Sequence, residues 1–214
     1  DKVHLDTETA SKLLRSMPFD LKRLSSSPIA LTESDPYPSG ILKILVHKSS
    51  NANVLISEPF MAGQLWYFNM FTNSTEMRFD HASPHLQGML IIEAMRQTGI
   101  AMGHLNGLPL DGQIALLSYQ SNFFHFVSEA SPIIIRSYSD FIADEESENK
   151  QILVFAQVIQ WGRICADATL KGFAYINKKS CADNLVRTDR VSLRQKARYE
   201  VMIKEHLQIN RLKS

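Results

Sequence analysis

Hydrophobic and polar positions change rhythm several times along the chain. "TETASKLLRSM" places Ala10, Leu13, Leu14 and Met17 on one stripe behind a possible cap at Thr7, which predicts a helix within residues 1–27. "SSSPIALTESDPYPSG" (25–40) is rich in Ser and Pro and reads as a linker or extended arm. "ILKILVHK" and "NVLISE" are rich in aliphatic residues and flank a Ser/Asn turn at 49–51, predicting two strands, and the aromatic "QLWYFNMF" (64–71) predicts a third. A polar loop follows, with a short extended piece near Met77–Phe79. Roughly residues 88–104 then read as a helix that is apolar on nearly every side.

Four long apolar segments come next: 114–127, 131–143, 150–162 and 164–176. The acidic "DEESEN" (144–149) separates the second from the third as an exposed hairpin tip, and Gly162-Arg163 makes a tight break between the last two. From about Val186 the pattern is that of a basic helix. An antiparallel meander of that length needs its apolar face covered, and the central helix is the one segment apolar enough to cover it. The expected architecture is α+β: a curled sheet wrapped around a buried helix, with further helices at both ends. The expected organisation is an N-terminal helix and arm (1–40), a sheet-and-helix domain (41–177) and a basic C-terminal helix (178–214).

Composition narrows this little. The chain has 214 residues, 44% hydrophobic and 21% charged, with a formal net charge of +1, so no overall field points to nucleic acid or membrane. The charge is uneven: residues 178–214 hold ten Lys/Arg against four Asp/Glu, net +6. Such a tail suits an acidic partner protein or is simply a solvated helix. Cys165 and Cys181 make no disulfide framework or metal knuckle. "DKVHLDTETA" lacks the regions of a signal peptide, and no apolar run approaches the ~20 residues of a spanning helix, so a cytoplasmic protein is expected. Nucleophile-elbow, P-loop and dinucleotide fingerprints are missing from the sequence.

The chemistry concentrates in "DHASPHLQGMLIIEAMRQTG" (80–99). Glu93, Arg96 and Gln97 interrupt the apolar helix. A buried carboxylate is either paired or shifted to a raised pKa, and a raised value near neutrality suits general acid/base work. Glu93 and Arg96, three apart, can also neutralise each other as a structural pair. Arg96 offers a planar fork for a phosphate or carboxylate. Alternatively, Arg96 orients Glu93 and Gln97 caps a sheet carbonyl. His81 and His85 precede the helix with Pro84 between them, which argues against an i, i+4 metal pair, and no metal site is expected. The helix start at Gly88 and Met89 offers unpaired amides and a positive dipole end, able to polarise a carbonyl as charge develops on its oxygen. Either histidine could then shuttle a proton or serve as an ordinary loop residue. Phe123, Phe124 and Phe126 either line an acyl tunnel or, more commonly for aromatics, pack in the core. His47, His104, His125 and His206 read as structural.

This segment resembles the hotdog domain of the A-factor biosynthesis (AfsA-type) family, whose pattern is approximately D-H-x-x-D-H-x-P-G-M, an apolar pair, then E-A-x-R-Q. Asp80, His81, His85, Gly88, Met89, Glu93, Ala94, Arg96 and Gln97 match it, and "VHK" (46–48) resembles the start of the family's domain. Pro84 and Gln87 depart from the pattern, and the first of these removes a carboxylate beside His85. Members commonly carry two such domains in tandem; one is legible here, over roughly 41–176.

The resemblance implies a hotdog fold, a curled sheet around a long helix, and an enzyme acting on acyl thioesters. It implies acyl transfer or condensation towards a small signal, such as a butyrolactone or butenolide precursor, with Arg96 suited to the phosphate of a three-carbon acceptor. Glu93 stands at the spacing from Gly88 at which hydroxyacyl-ACP dehydratases of this fold carry their acid. Their histidine does not carry over, since His81 and His85 lie seven and three residues before Gly88. The expected site is therefore Glu93, Arg96, His81 and His85 for catalysis, with Gly88, Met89, Gln97 and Phe124 against the substrate. No cofactor is expected beyond the phosphopantetheine of an acyl carrier protein, or coenzyme A, that bears the substrate. A homodimer is expected, because one such sheet leaves an edge open. Dehydration, thioester hydrolysis and non-catalytic acyl binding are the alternatives.

Overall fold

The computed structural model describes residues 38–62, 65–75, 85–139, 141 and 149–212. The expected N-terminal helix, most of the Ser/Pro-rich arm, the piece near Met77–Phe79, His81 and most of the acidic tip lie outside these residues. Six strands form one antiparallel sheet: β1 (Phe60–Ala62), β2 (Leu65–Asn69), β3 (Gln113–Phe123), β4 (Ile134–Ser139), β5 (Asn149–Gln160) and β6 (Arg163–Tyr175). Their order is β1-β2-β4-β5-β6-β3. Helix α1 (Gly88–Leu105) connects β2 to β3, one edge region of the sheet to the other, and α2 (Lys178–Leu212) follows β6. This is the hotdog arrangement of a curled sheet and a long helix.

Alternation along the long strands fills the space beneath α1. Val154, Ala156 and Val158 of β5 join Ala166, Ala168 and Leu170 of β6 in the core with Ala94, Met95 and Met102 of the helix. Two glycines set the closest approach. A Cβ on Gly103 of α1 would come 2.6 Å from Ile114 Cδ1, and one on Gly172 of β6 would come 2.8 Å from Ile152 Cγ2. Glycine within a helix costs about 1 kcal/mol relative to alanine, and here that cost is offset by packing against the sheet. On three neighbouring strands Tyr67, Arg136 and Gln157 stand side by side. Arg136 is 1% exposed and its Nε donates to Gln157 Oε1 at 2.8 Å.

Two expectations need correction. The segments expected as strands at 41–48 and 53–58 are instead 3-10 turns at Lys43–Val46 and Asn51–Asn53 followed by an extended stretch, with isolated bridges Gly40↔Ser57 within the segment and Ile56↔Met70 beside β2. Val54, Leu55 and Ile56 are buried consecutively, so their apolar run reflects burial on every side. The sheet meets α1 through β3 to β6, and the 41–56 segment covers another side, leaving a stripe of Met89, Glu93 and Arg96 partly open. Second, within the expected 178–214 segment α2 already starts at Lys178 and not near Val186, and its described side chains are exposed apart from Cys181. Among the described residues, no helix is long and apolar enough to cross a membrane.

Candidate active site

α1 begins at Gly88 without a side-chain cap from Gln87. Its first amides, Gly88 and Met89, precede any possible i→i−4 partner within the helix, so the positive end of the dipole is presented there. A cleft of about 540 Å³ opens at this point, lined by His85, Leu86, Gly88 and Ile91 on one side and by residues 123–127 on the other. The wall is mostly apolar. A Cβ on Gly88 would stand 3.5 Å from the Phe123 ring, so the glycine keeps the helix start open to whatever enters. The His85 ring lies 4.3 Å from that of Phe126, tilted by 39°.

The expectation that these phenylalanines pack in the core fails: Phe123, Phe124 and Phe126 are 49%, 48% and 79% exposed. β3 ends at Phe123, and the amides of Phe124 and His125 both donate to Cys165 O, which turns the chain off the sheet and presents the rings at the cleft. Phe124 and His125 thus join Gly88 and His85 in one place. Met89 is exposed beside it and does not line it. His81 lies outside the described residues.

Glu93, Arg96 and Gln97 form a second, separate cluster. At 3.6 residues per turn, Glu93 lies about 140° around the helix from Gly88, and neither it nor Arg96 lines the cleft. Arg96 grips Glu93 with a fork, Nε to Oε2 at 2.7 Å and Nη2 to Oε1 at 2.8 Å. Lys48 Nζ stands 3.1 Å from Glu93 Oε1, and Gln97 Nε2 donates to the same oxygen at 3.1 Å. Gln97, fully buried, also donates to Asn53 O and accepts from Leu55 N, both at 2.8 Å. The cluster ties α1 to the 46–55 segment. Burial pushes the Glu93 carboxyl up, but the hydrogen bonds and charge of Arg96, with Gln97 and Lys48, outweigh it and hold the group down at about 2. Of the two states open to a buried acid, the structure has the paired one, and the expectation of a pKa near neutrality is corrected. Gln97 holds backbone of the 53–55 segment, not a sheet carbonyl.

Beside this cluster His47 Nε2 meets His104 Nε2 at 2.9 Å, and His104 Nδ1 reaches Leu108 O at 3.1 Å. The second contact makes His104 Nδ1 the donor, so His47 donates at Nε2 and His104 accepts. Burial, His104 and Arg96 bring His47 down to about 4. Tyr119 of β3 donates to Ile92 O at 3.3 Å, and its hydroxyl is pushed up by burial and by the Glu93 charge. Among the described residues, no group of three or more His, Cys, Asp and Glu is placed to hold a metal.

The A-factor biosynthesis hotdog domain family matches residues 29–175 of this sequence. The chain belongs to that family. No curated protein sequence matches it significantly. Solved structures similar to part of this A-factor-type domain include a mutant thioesterase from Pseudomonas aeruginosa (15% identity, 63% of this chain and 94% of that one, TM-score 0.45). Others are a thioesterase from Haemophilus influenzae (14%, 57% and 79%, TM-score 0.41) and an uncharacterized protein from Pyrococcus horikoshii (12%, 64% and 93%, TM-score 0.41).

Within the A-factor-type motif, the structure separates two groups of side chains. His85 and Gly88 open onto the cleft; Glu93, Arg96 and Gln97 lie outside it and brace the helix against the 46–55 segment. Three contributors were not given these roles by sequence reasoning. Lys48 is 45 positions from Glu93, and only its place in "VHK" marked the region. Tyr119 has no local signal. His125 stood in an alternating aromatic strand and read as structural.

Proposed function

We propose that this A-factor-type domain binds and processes an acyl thioester, with the acyl chain in the cleft and the thioester carbonyl at the start of α1. The observation that carries the reading is the glycine-led helix N-terminus, without a side-chain cap from Gln87, opening onto an apolar cleft with a histidine at its edge. The Gly88 and Met89 amides and the dipole would stabilise the oxyanion that forms when the carbonyl is attacked. His85, which lines the same cleft, serves as the proton carrier, and Phe124 is wall. Glu93, held as a carboxylate between two cations, serves as a positioning residue with Arg96 and Gln97, fixing α1 against the 46–55 segment. Family membership supports acyl transfer or condensation towards a small signal over hydrolysis and dehydration. Incubation with matched 3-oxoacyl, 3-hydroxyacyl and saturated thioesters, with product identification, tests this. Transfer to a hydroxyl acceptor is expected; release of free acid alone, or of enoyl thioester, would contradict it.

A specific observation favours a second reading, acyl binding without turnover: the acid expected to do proton chemistry is ion-paired away from the cleft. Binding of an acyl thioester with no product formed from any of the three substrates would support it.

The substrate carrier is an acyl carrier protein or coenzyme A. α2 follows Tyr175, the end of β6 far from the cleft; the ten steps of strand from Cys165 to Tyr175 put its root at most ~33 Å from Cys165, which anchors the cleft wall. A carrier docked on α2 of the same subunit would have to span that length. The homodimer forms through β3, an edge strand whose eleven residues include no charge and expose Leu116 and Leu117. An uncharged edge of that length is a template for pairing with a second chain.

A further inference from the structure

Arg163 is the first residue of β6, directly after a two-residue reversal in which Trp161 and Gly162 both take left-handed backbone angles (φ 51° and 71°). The turn sets Arg163 opposite Gln160. Gln160 is clamped: its Oε1 accepts from Ser128 N at 2.8 Å, and its Nε2 donates to Ser128 O and Ser131 O at 2.9 and 3.0 Å. Two residues after Arg163, Cys165 O holds the amides of Phe124 and His125 at 2.8 and 3.1 Å. The backbone under Arg163 is therefore fixed on both sides to the loop that walls the cleft.

From that base the guanidinium reaches His125, a lining residue. Its Nη2 stands 3.1 and 3.2 Å from the two ring nitrogens. Near-equal distances mean that the group lies against the ring and not along one lone pair. The other cations described near α1, Lys48 and Arg96, are both ion-paired with Glu93. Arg163 is exposed, and among the described residues no carboxylate pairs with it. The edge of the cleft, at His125, thus carries a positioned and exposed guanidinium that no carboxylate among the described residues pairs with.

We propose that Arg163, seated against His125, binds the phosphate of the pantetheine arm that delivers the acyl group. The inference rests on the thioester reading above. It follows from geometry: the thioester and the phosphate lie at opposite ends of one extended arm, so a thioester at Gly88 leaves the phosphate at the mouth. A guanidinium fork matches phosphate oxygens, and the imidazole behind it restricts its rotamers before the ligand arrives. Phosphopantetheine on a carrier protein and coenzyme A share this phosphate.

The test uses non-hydrolysable ligands with one acyl chain on coenzyme A, on phosphopantetheine and on pantetheine without phosphate, titrated against the full chain and its Arg163→Gln and Arg163→Lys variants. Arg163→Gln is expected to weaken both phosphorylated ligands about tenfold and leave the unphosphorylated one unchanged, with Arg163→Lys recovering part of the loss. Loss confined to coenzyme A would overturn the assignment to the arm phosphate, since its nucleotide phosphates would then be the ones held. Equal affinities in wild type and Arg163→Gln for all three would overturn it outright. Failure of wild type to bind even the unphosphorylated ligand would overturn the thioester reading, and this inference with it.

Discussion

Replacing Glu93 by Gln keeps the side chain's shape and removes the one charge that joins Lys48, Arg96 and Gln97. The magnitude follows from its titration. The carboxyl is lowered from 4.5 to about 2. A difference of that size corresponds to ~3 kcal/mol of interaction favouring the charged, folded form at neutral pH. Glu93 is 16% exposed, so solvent screening leaves about 2–3 kcal/mol. Because the folded value lies below the unfolded one, this stability is complete above about pH 5 and is lost as pH falls from 4.5 towards 2; by pH 3 more than half of it is gone. Urea unfolding followed by tryptophan fluorescence reads the effect. At pH 7 the variant should be about 2–3 kcal/mol less stable than wild type, and at pH 3 only ~1 kcal/mol less. If Glu93 braces the helix, turnover per folded molecule should fall by less than about tenfold, whereas loss of a general acid typically costs roughly a hundredfold or more. An equal stability gap at both pH values, or none at pH 7, would refute the ion-pair account.

Three further outcomes are expected. Leu117→Lys puts a charge on the β3 edge and should convert a dimer to monomer by sedimentation velocity, with the fold retained by circular dichroism; a wild-type chain that is monomeric at all concentrations would contradict the pairing. Gly103→Ala drives a methyl towards Ile114 and should lower stability by ~1–3 kcal/mol despite alanine's better helix propensity, and a rise in the thermal midpoint would show that Ile114 yields freely. His47 titrates near 4 folded against an ordinary 6.5, so the unfolded chain takes up its proton first and stability falls as pH drops from 6.5 to 4. His47→Asn, which tolerates the left-handed backbone there, should flatten that part of the urea-midpoint profile, and an unchanged slope would count against the histidine pair.

Much of the architecture was legible in local pattern. The central helix, expected at 88–104, runs Gly88–Leu105, and the four long β segments all hold strands, because period and length are local properties. Other features depend on what lies across space. Val54, Leu55 and Ile56 look like a strand because burial on all sides, and not pairing, selects their apolar side chains. Phe123 to Phe126 look like core because hydrophobicity alone does not separate a core from an open cleft wall. Glu93 and Arg96 were visible as a pair, yet which way the pair faces was set by Lys48 and the backbone at 53–55. Arg163 carried no signal beyond its place after a tight turn, and its neighbour His125 is 38 positions away.

The account is tested most directly at Gly88, where the first added carbon fits beside Phe123 and the next ones occupy the cleft. Calorimetric titration of a non-hydrolysable 3-oxoacyl-pantetheine against wild type and Gly88→Val should show binding to the first and at least about tenfold weaker binding to the second, with matching urea midpoints. Equal affinity in the two proteins would place the ligand elsewhere and contradict a thioester site at the start of α1.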